Sequence, residues 1–100
     1  MTRVLSLGLA KAIQRHAAAS RQAECAEAAE DDAAIERLCG VEAETLDGVV
    51  AALPAIASPD DAAAVVEHAR EMGGRDAAVE LILLRGLAAA LARRAFAEAA

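Results

Sequence analysis

The side chains of this 100-residue chain that could bind a metal or move a proton are two histidines and two cysteines. They are His16, Cys25, Cys39 and His68, which are residue types that bind zinc. Zinc sites usually bring their ligands in close pairs, whereas 8, 13 and 28 residues separate successive members of this set. The spacing predicts neither a metal site nor a cofactor, and a metal joining His16 to one cysteine is the alternative.

The surroundings of these residues favour structural roles. His16 shares the apolar stripe of the first predicted helix with Leu9 and Ile13, so we expect a buried or boundary imidazole bonded to a backbone carbonyl. Cys25 and Cys39 are expected to be small core or boundary hydrophobes. Two cysteines are too few for a disulfide framework, which favours a reducing cytoplasm.

His68 is the alternative functional histidine. We expect it on the solvent side of its helix beside Glu67 and Arg70, with Asp61 on the same face, where a carboxylate could orient the imidazole for acid–base chemistry. A solvated charged face explains the same pattern. Residues 67–73, Glu-His-Ala-Arg-Glu-Met-Gly, resemble the phosphorylated helix of histidine-containing phosphotransfer domains. Compared with that family, Arg70 lies one position nearer to the histidine and Gly73 one position further from it. The resemblance implies a helical bundle with a phosphoryl acceptor at His68.

A second short segment is similar to a carrier motif. Residues 44–49, Glu-Thr-Leu-Asp-Gly-Val, resemble the prosthetic-group motif of acyl carrier proteins, in which a serine and a leucine open an acidic helix. Thr45 stands where that family carries phosphopantetheine on serine, so the resemblance implies a helical fold without the arm. We predict that Thr45 is a helix N-cap. Because there is also no Ser-His-acid set and no glycine-rich loop after a strand, we predict that the chain is not an enzyme.

The elements predicted around these residues are all helical. Thirty residues are alanine and one is aromatic, which favours helix throughout and a single domain over residues 1–100. Acids at residues 30–32 predict a break after the first helix, Gly40 predicts the end of the second, and Pro54 stops the helix that Thr45 opens. Ser58 with Pro59 predicts the next N-cap, residues 73–74 its end, and Asp76 the cap of the last helix. The fold class is therefore all-α, a small four- to five-helix bundle with long N- and C-terminal helices around shorter ones.

Charge is sorted along the chain. Residues 1–23 carry +4, residues 24–80 carry −12 and residues 81–100 carry +2, for a net charge of −6. This balance weighs against a nucleic acid or an anionic membrane as partner. Six acids near the first helix break could dock a basic partner, but an exposed helix junction is the favoured interpretation; they are Glu24, Glu27, Glu30, Asp31, Asp32 and Glu36.

The last predicted helix, residues 76–97, is too apolar for one neighbour. Its large aliphatic side chains span an arc of about 140°, and Leu81 and Ile82 lie outside that arc. We therefore predict a protein–protein interaction module, either a homo-oligomer such as a dimer or a binder of another protein. The predicted interaction surface comprises Leu81, Leu84, Leu87 and Leu91.

The N-terminus does not favour export. Only seven residues, 4–10, form its apolar stretch, which Ser6 and Gly8 interrupt and Lys11 follows, so a cytoplasmic location is expected. Most of the chain is similar in composition and element order to small uncharacterised alanine-rich bacterial proteins of GC-rich genomes. That resemblance implies no activity.

Overall fold

Four α-helices make up most of the chain. The computed structural model describes residues 7–99, with side chains through residue 95, and Leu5 and the rest of the expected N-terminal stretch before residue 7 lie outside this range. The helices are α1 (Leu7–Ala28), α2 (Asp32–Ala52), α3 (Pro59–Gly73) and α4 (Ala77–Ala99), and a 3-10 turn (Leu53–Ala55) follows α2. The described residues contain no strand, so the predicted all-α bundle is confirmed.

The turn between α1 and α2 confirms the break expected at residues 30–32. Glu30 has a φ of 55°, in the left-handed region. The amide of Glu30 donates to the carbonyl of Glu27 (3.1 Å) and the amide of Asp31 to that of Ala26 (3.0 Å), which is the hydrogen-bond pattern of a Schellman C-cap. The Asp31 carboxylate then accepts from the Ala34 amide at 3.2 Å and caps α2.

The predicted division of the next segment is wrong, because α2 runs unbroken through Gly40 and Thr45 for 21 residues. The Thr45 hydroxyl does not cap a helix; it donates back to the carbonyls of Val41 (2.7 Å) and Glu42 (3.1 Å). Burial of Leu38 and Val49 along one face of α2 outweighs the roughly 1 kcal/mol that a glycine costs inside a helix. Since α2 is nearly as long as α1, only α3 is a short inner helix.

The remaining helix ends follow the predicted caps. The Ser58 hydroxyl accepts from the Asp61 amide at 3.2 Å, with Pro59 in the first position of α3. Gly73 ends α3, and the Asp76 carboxylate accepts from the Ala78 amide at 2.9 Å at the start of α4. These caps fix the register of the helices that carry His68 and the leucines.

The helices form two hairpins, α1 with α2 and α3 with α4. A first core cluster joins both hairpins and the 3-10 turn, and a second joins α2, α3 and α4. A third cluster, Ala23, Ala26 and Leu38, contains residues of α1 and α2 alone. Because α3 is shorter than α1 and α2, the end of the first hairpin lies beyond the α3–α4 turn, and the molecule measures 53 × 29 × 19 Å.

Candidate functional site

A buried pair of histidines joins the two hairpins. His16 of α1 is 2 % exposed and His68 of α3 is 3 % exposed. Nδ1 of His16 lies 2.8 Å from Nε2 of His68, and the rings meet edge to face with centroids 5.0 Å apart. Since one nitrogen must donate and the other accept, this contact holds a single proton.

The predicted exposure of His68 is wrong. The predicted burial of His16 is correct, but its predicted hydrogen-bond partner is wrong. The face of α3 that carries His68 is the buried one, and it also carries Asp61, Val65 and Met72 at helical spacing. Asp61 does share a face with His68, as expected, but its Oδ2 accepts from the Ala57 amide at 2.9 Å. His16 is buried as expected, yet its partner is an imidazole 52 positions away and not a carbonyl.

Burial keeps both imidazoles neutral at neutral pH. Desolvation lowers the pKa of His68 to about 4, and the nearby imidazole of His16 lowers it further in the same direction. Desolvation also lowers the pKa of His16, against an opposing effect of the Glu42 carboxylate. The hydrogen bond between His16 and His68 therefore joins two uncharged rings. It does not favour phosphoryl transfer at His68, because Nε2 faces His16 instead of solvent.

Ser20 contacts a charged cluster beside the histidine pair. It lies one helical turn after His16 and is 1 % exposed. Its hydroxyl lies 3.2 Å from Oε2 of Glu42 and 3.4 Å from Sδ of Met72. The hydroxyl has one hydrogen, and the charged carboxylate is the stronger acceptor.

Arg75 lies at the centre of that cluster and ties three segments together. From the α3–α4 turn it donates to Glu42 of α2 through Nε (3.0 Å) and Nη2 (2.8 Å). It also donates to Glu27 of α1 through Nη1 (3.1 Å) and Nη2 (2.8 Å). These bonds hold the pKa of Glu27 below its ordinary value and raise that of Arg75. All six acids at the α1–α2 junction are exposed, which agrees with the favoured interpretation, and Glu27 among them makes this ion pair.

A cavity of about 510 Å³ opens beside this cluster, between the first hairpin and the α3–α4 turn. His16 and Ser20 lie at one wall, and the charged groups include Arg75. Apolar side chains line the rest, including Ile35, Leu46, Met72 and Val79. The volume lies within the range of small-molecule pockets.

The cysteines do not join the histidines. Cys25 and Cys39 are both exposed free thiols, which corrects their expected placement as core or boundary residues, and Cys39 borders the cavity. Among the described residues, no group of three or more His, Cys, Asp or Glu side chains is placed to hold a metal ion.

The structure separates the leucines of the predicted interaction surface. Leu81, Leu84 and Leu91 are 48, 36 and 42 % exposed, and Ile82 is 45 % exposed. Leu87 is 6 % exposed and packs in the first core cluster, so its place in a surface patch is wrong. The reason is rotational: Leu87 lies one turn from Leu83, which is fully buried, on the face of α4 that meets the core.

Sequence reasoning missed Arg75 and the pairing of His16 with His68. Both arrangements join residues more than 30 positions apart, and neither has a local signal beyond the polar residue types.

None of the helices in residues 7–99 has the length and apolarity needed to cross a membrane. No protein-family model matches this chain, and comparisons with curated proteins and with solved structures found no match.

Proposed function

We propose that this chain is a non-enzymatic interaction module that self-associates as a homodimer through one face of α4. The supporting observation is that this helix leaves Leu81, Leu84 and Leu91 exposed, while Leu83 and Leu87 on its adjoining face fill the core. A chain of this size has few large side chains for its own core, so three leucines in contact with water are a cost that association removes.

The exposed face is continuous, and we call it the α4 stripe. It consists of exposed residues only: Ala77, Leu81, Leu84, Ala88, Leu91 and Ala95. At 100° per residue these six positions fall within about 80° of the helix surface, and no charged residue lies among them. A second copy is the natural occupant, because an apolar stripe on a helix is complementary to itself across a two-fold axis.

The strength of such a dimer follows from the area available. Covering a half-exposed leucine stabilises by roughly 1 kcal/mol, so six leucines in a dimer contribute roughly 6 kcal/mol before the alanines are counted. Association itself costs several kcal/mol, so a net free energy of only a few kcal/mol remains and the dissociation constant lies near the millimolar range. The net charge of −6 favours a protein partner over a nucleic acid, and a cytoplasmic location is part of the proposal.

Light scattering after size exclusion, over a concentration series up to about 1 mM, tests self-association directly. The average mass of the wild-type chain is expected to rise toward that of a dimer at the upper end, and Leu84→Glu/Leu91→Glu is expected to remain a monomer with the same helical circular dichroism. Ala89→Glu is the matched control, because Ala89 is exposed on α4 outside the stripe. A wild-type monomer at every concentration, or a stripe variant that still dimerises like the control, overturns the proposal.

A further inference from the structure

We infer that the two copies dock with their α4 helices parallel and in register, an inference that rests on the proposed self-association. The residues of the α4 stripe recur at a regular spacing. Successive members are separated by 4, 3, 4, 3 and 4 positions, which is the a/d pattern of a heptad repeat. Leu84 and Leu91 then occupy d positions and Leu81 an a position, where each packs into the seam between two helices.

The centre of the stripe is small enough for close approach. Ala88 lies at an a position midway between the leucines at 84 and 91, and its methyl group lets the two helix axes approach in that layer. In a parallel pair, each residue of the stripe meets the same residue of the second copy. Leucine layers therefore lie on both sides of an alanine layer.

The charged residues flanking the stripe select the parallel orientation. Glu80 occupies a g position and Arg85 the e position five residues later. In a parallel, in-register pair Glu80 faces the partner's Arg85, and the symmetry repeats this contact on the other side of the seam. Neither residue forms an ion pair within the part of the chain that the structure describes. Arg85 is exposed, whereas the Glu80 carboxylate lies against Gly73 of α3 and turns away from it to reach the seam.

The antiparallel orientation lacks this complementarity. The antiparallel register that overlaps the whole stripe places Arg85 opposite the partner's Arg85, which is a repulsive contact. It also directs Glu80 toward the partner's Arg94. The Arg94 guanidinium already donates to the carbonyls of Ile56 (2.5 Å) and Ala57 (3.4 Å), so that pairing competes with bonds inside the protomer.

Disulfide trapping tests the orientation. Ala88→Cys is placed in a Cys25→Ser/Cys39→Ser background, with Ala89→Cys, outside the stripe, as matched control. In a parallel dimer the two copies of residue 88 face each other, so Ala88→Cys is expected to give a covalent dimer in a thiol–disulfide buffer and the control is not. In the antiparallel register residue 88 faces position 84 of the second copy. Cross-linking only between Ala88→Cys and Leu84→Cys chains, in a protein that light scattering shows to be dimeric, overturns the orientation and leaves self-association standing; a monomer overturns both.

A charge exchange tests the Glu80–Arg85 contact. Arg85→Glu places two carboxylates together on each side of the seam and is expected to weaken dimerisation about fivefold, as measured by analytical ultracentrifugation at low salt. Adding Glu80→Arg restores opposite charges and is expected to recover most of the affinity. Arg93→Glu makes the same charge change on the same helix outside the stripe and its flanks. An equal effect of Arg85→Glu and Arg93→Glu, or a failure of the double variant to recover, overturns the contact.

Discussion

Nδ1 of His16 and Nε2 of His68 lie 2.8 Å apart, so a single hydrogen bond between two neutral imidazoles joins helices α1 and α3 across the core. The bond depends on both rings, because removal of either one leaves a buried nitrogen of the other without a hydrogen-bond partner. It also depends on pH, because protonation of both facing nitrogens would bring two donors together. These two dependences can be measured separately.

Replacing either histidine alone is expected to lower the free energy of unfolding, because the remaining imidazole loses its hydrogen-bond partner. His16→Leu or His68→Leu leaves one imidazole nitrogen buried without its partner, at a cost of about 1–3 kcal/mol in the free energy of unfolding. The double variant removes both polar groups and is expected to lose clearly less than the sum of the single variants. Urea unfolding of the four proteins completes the double-mutant cycle, and additive losses would contradict a direct coupling.

The stability of the wild-type chain is expected to fall as the pH drops below about 6.5, the ordinary pKa of histidine. The folded state holds the pKa of His68 at about 4 and lowers that of His16, so between pH 6.5 and 4 the unfolded chain binds more protons. The expected loss between pH 7.5 and 5 is on the order of 1–2 kcal/mol at fixed protein concentration. The His16→Leu/His68→Leu variant serves as control; a wild-type slope no steeper than its slope would contradict the assignment.

Arg75→Met is expected to lower the free energy of unfolding by about 1–2 kcal/mol, because it leaves the half-buried Glu42 without its charged donors. Methionine retains most of the apolar stem, so the loss reports the guanidinium and its bonds. Arg70→Met is the matched control, since Arg70 is exposed on the neighbouring helix α3. Equal stability of the two variants in thermal unfolding would show that the cluster contributes nothing.

Two glycine substitutions are expected to have opposite signs. A Cβ at Gly86 would lie 2.5 Å from Cδ1 of Leu53, which is 1 % exposed in the core, so Gly86→Ala forces that side chain to move. The expected net loss is about 1 kcal/mol, after the gain in helix propensity is offset. Gly48→Ala meets nothing within 4 Å and is expected to stabilise by about 0.5–1 kcal/mol. A stabilising Gly86→Ala in urea unfolding would show that the core accommodates the methyl group.

Local signals predicted the ends of most helices. Ser58, Asp76 and Asp31 act through hydrogen bonds to amides within three residues, and such bonds depend on nearby sequence alone. Gly40 and Thr45 also look like helix boundaries. Whether the helix continues through them depends on burial of one face of α2, and α1 is the main element packed against that face. A threonine hydroxyl can cap a helix or donate back within one, and only tertiary packing decides.

The site could be predicted only in part for the same reason. The apolar neighbours of His16 indicated its burial, because they recur at helical spacing on α1. His68 lies on a helix rich in alanine, whose small methyl groups are compatible with either a buried or a solvated face. The bonds from Arg75 to Glu27 and Glu42 span 48 and 33 positions, so they follow from how the hairpins dock and not from any local motif.

The end of the α1–α2 hairpin that contains the third core cluster is expected to open before the rest of the molecule. Its buried members are two alanines and one leucine, all from α1 and α2, so little apolar area holds the far end of that hairpin together. The left-handed Glu30 at the turn adds strain of roughly 1 kcal/mol that a glycine would not have. Backbone amides near this turn can therefore exchange with solvent through a local opening, while the histidine pair and the α4 stripe stay folded.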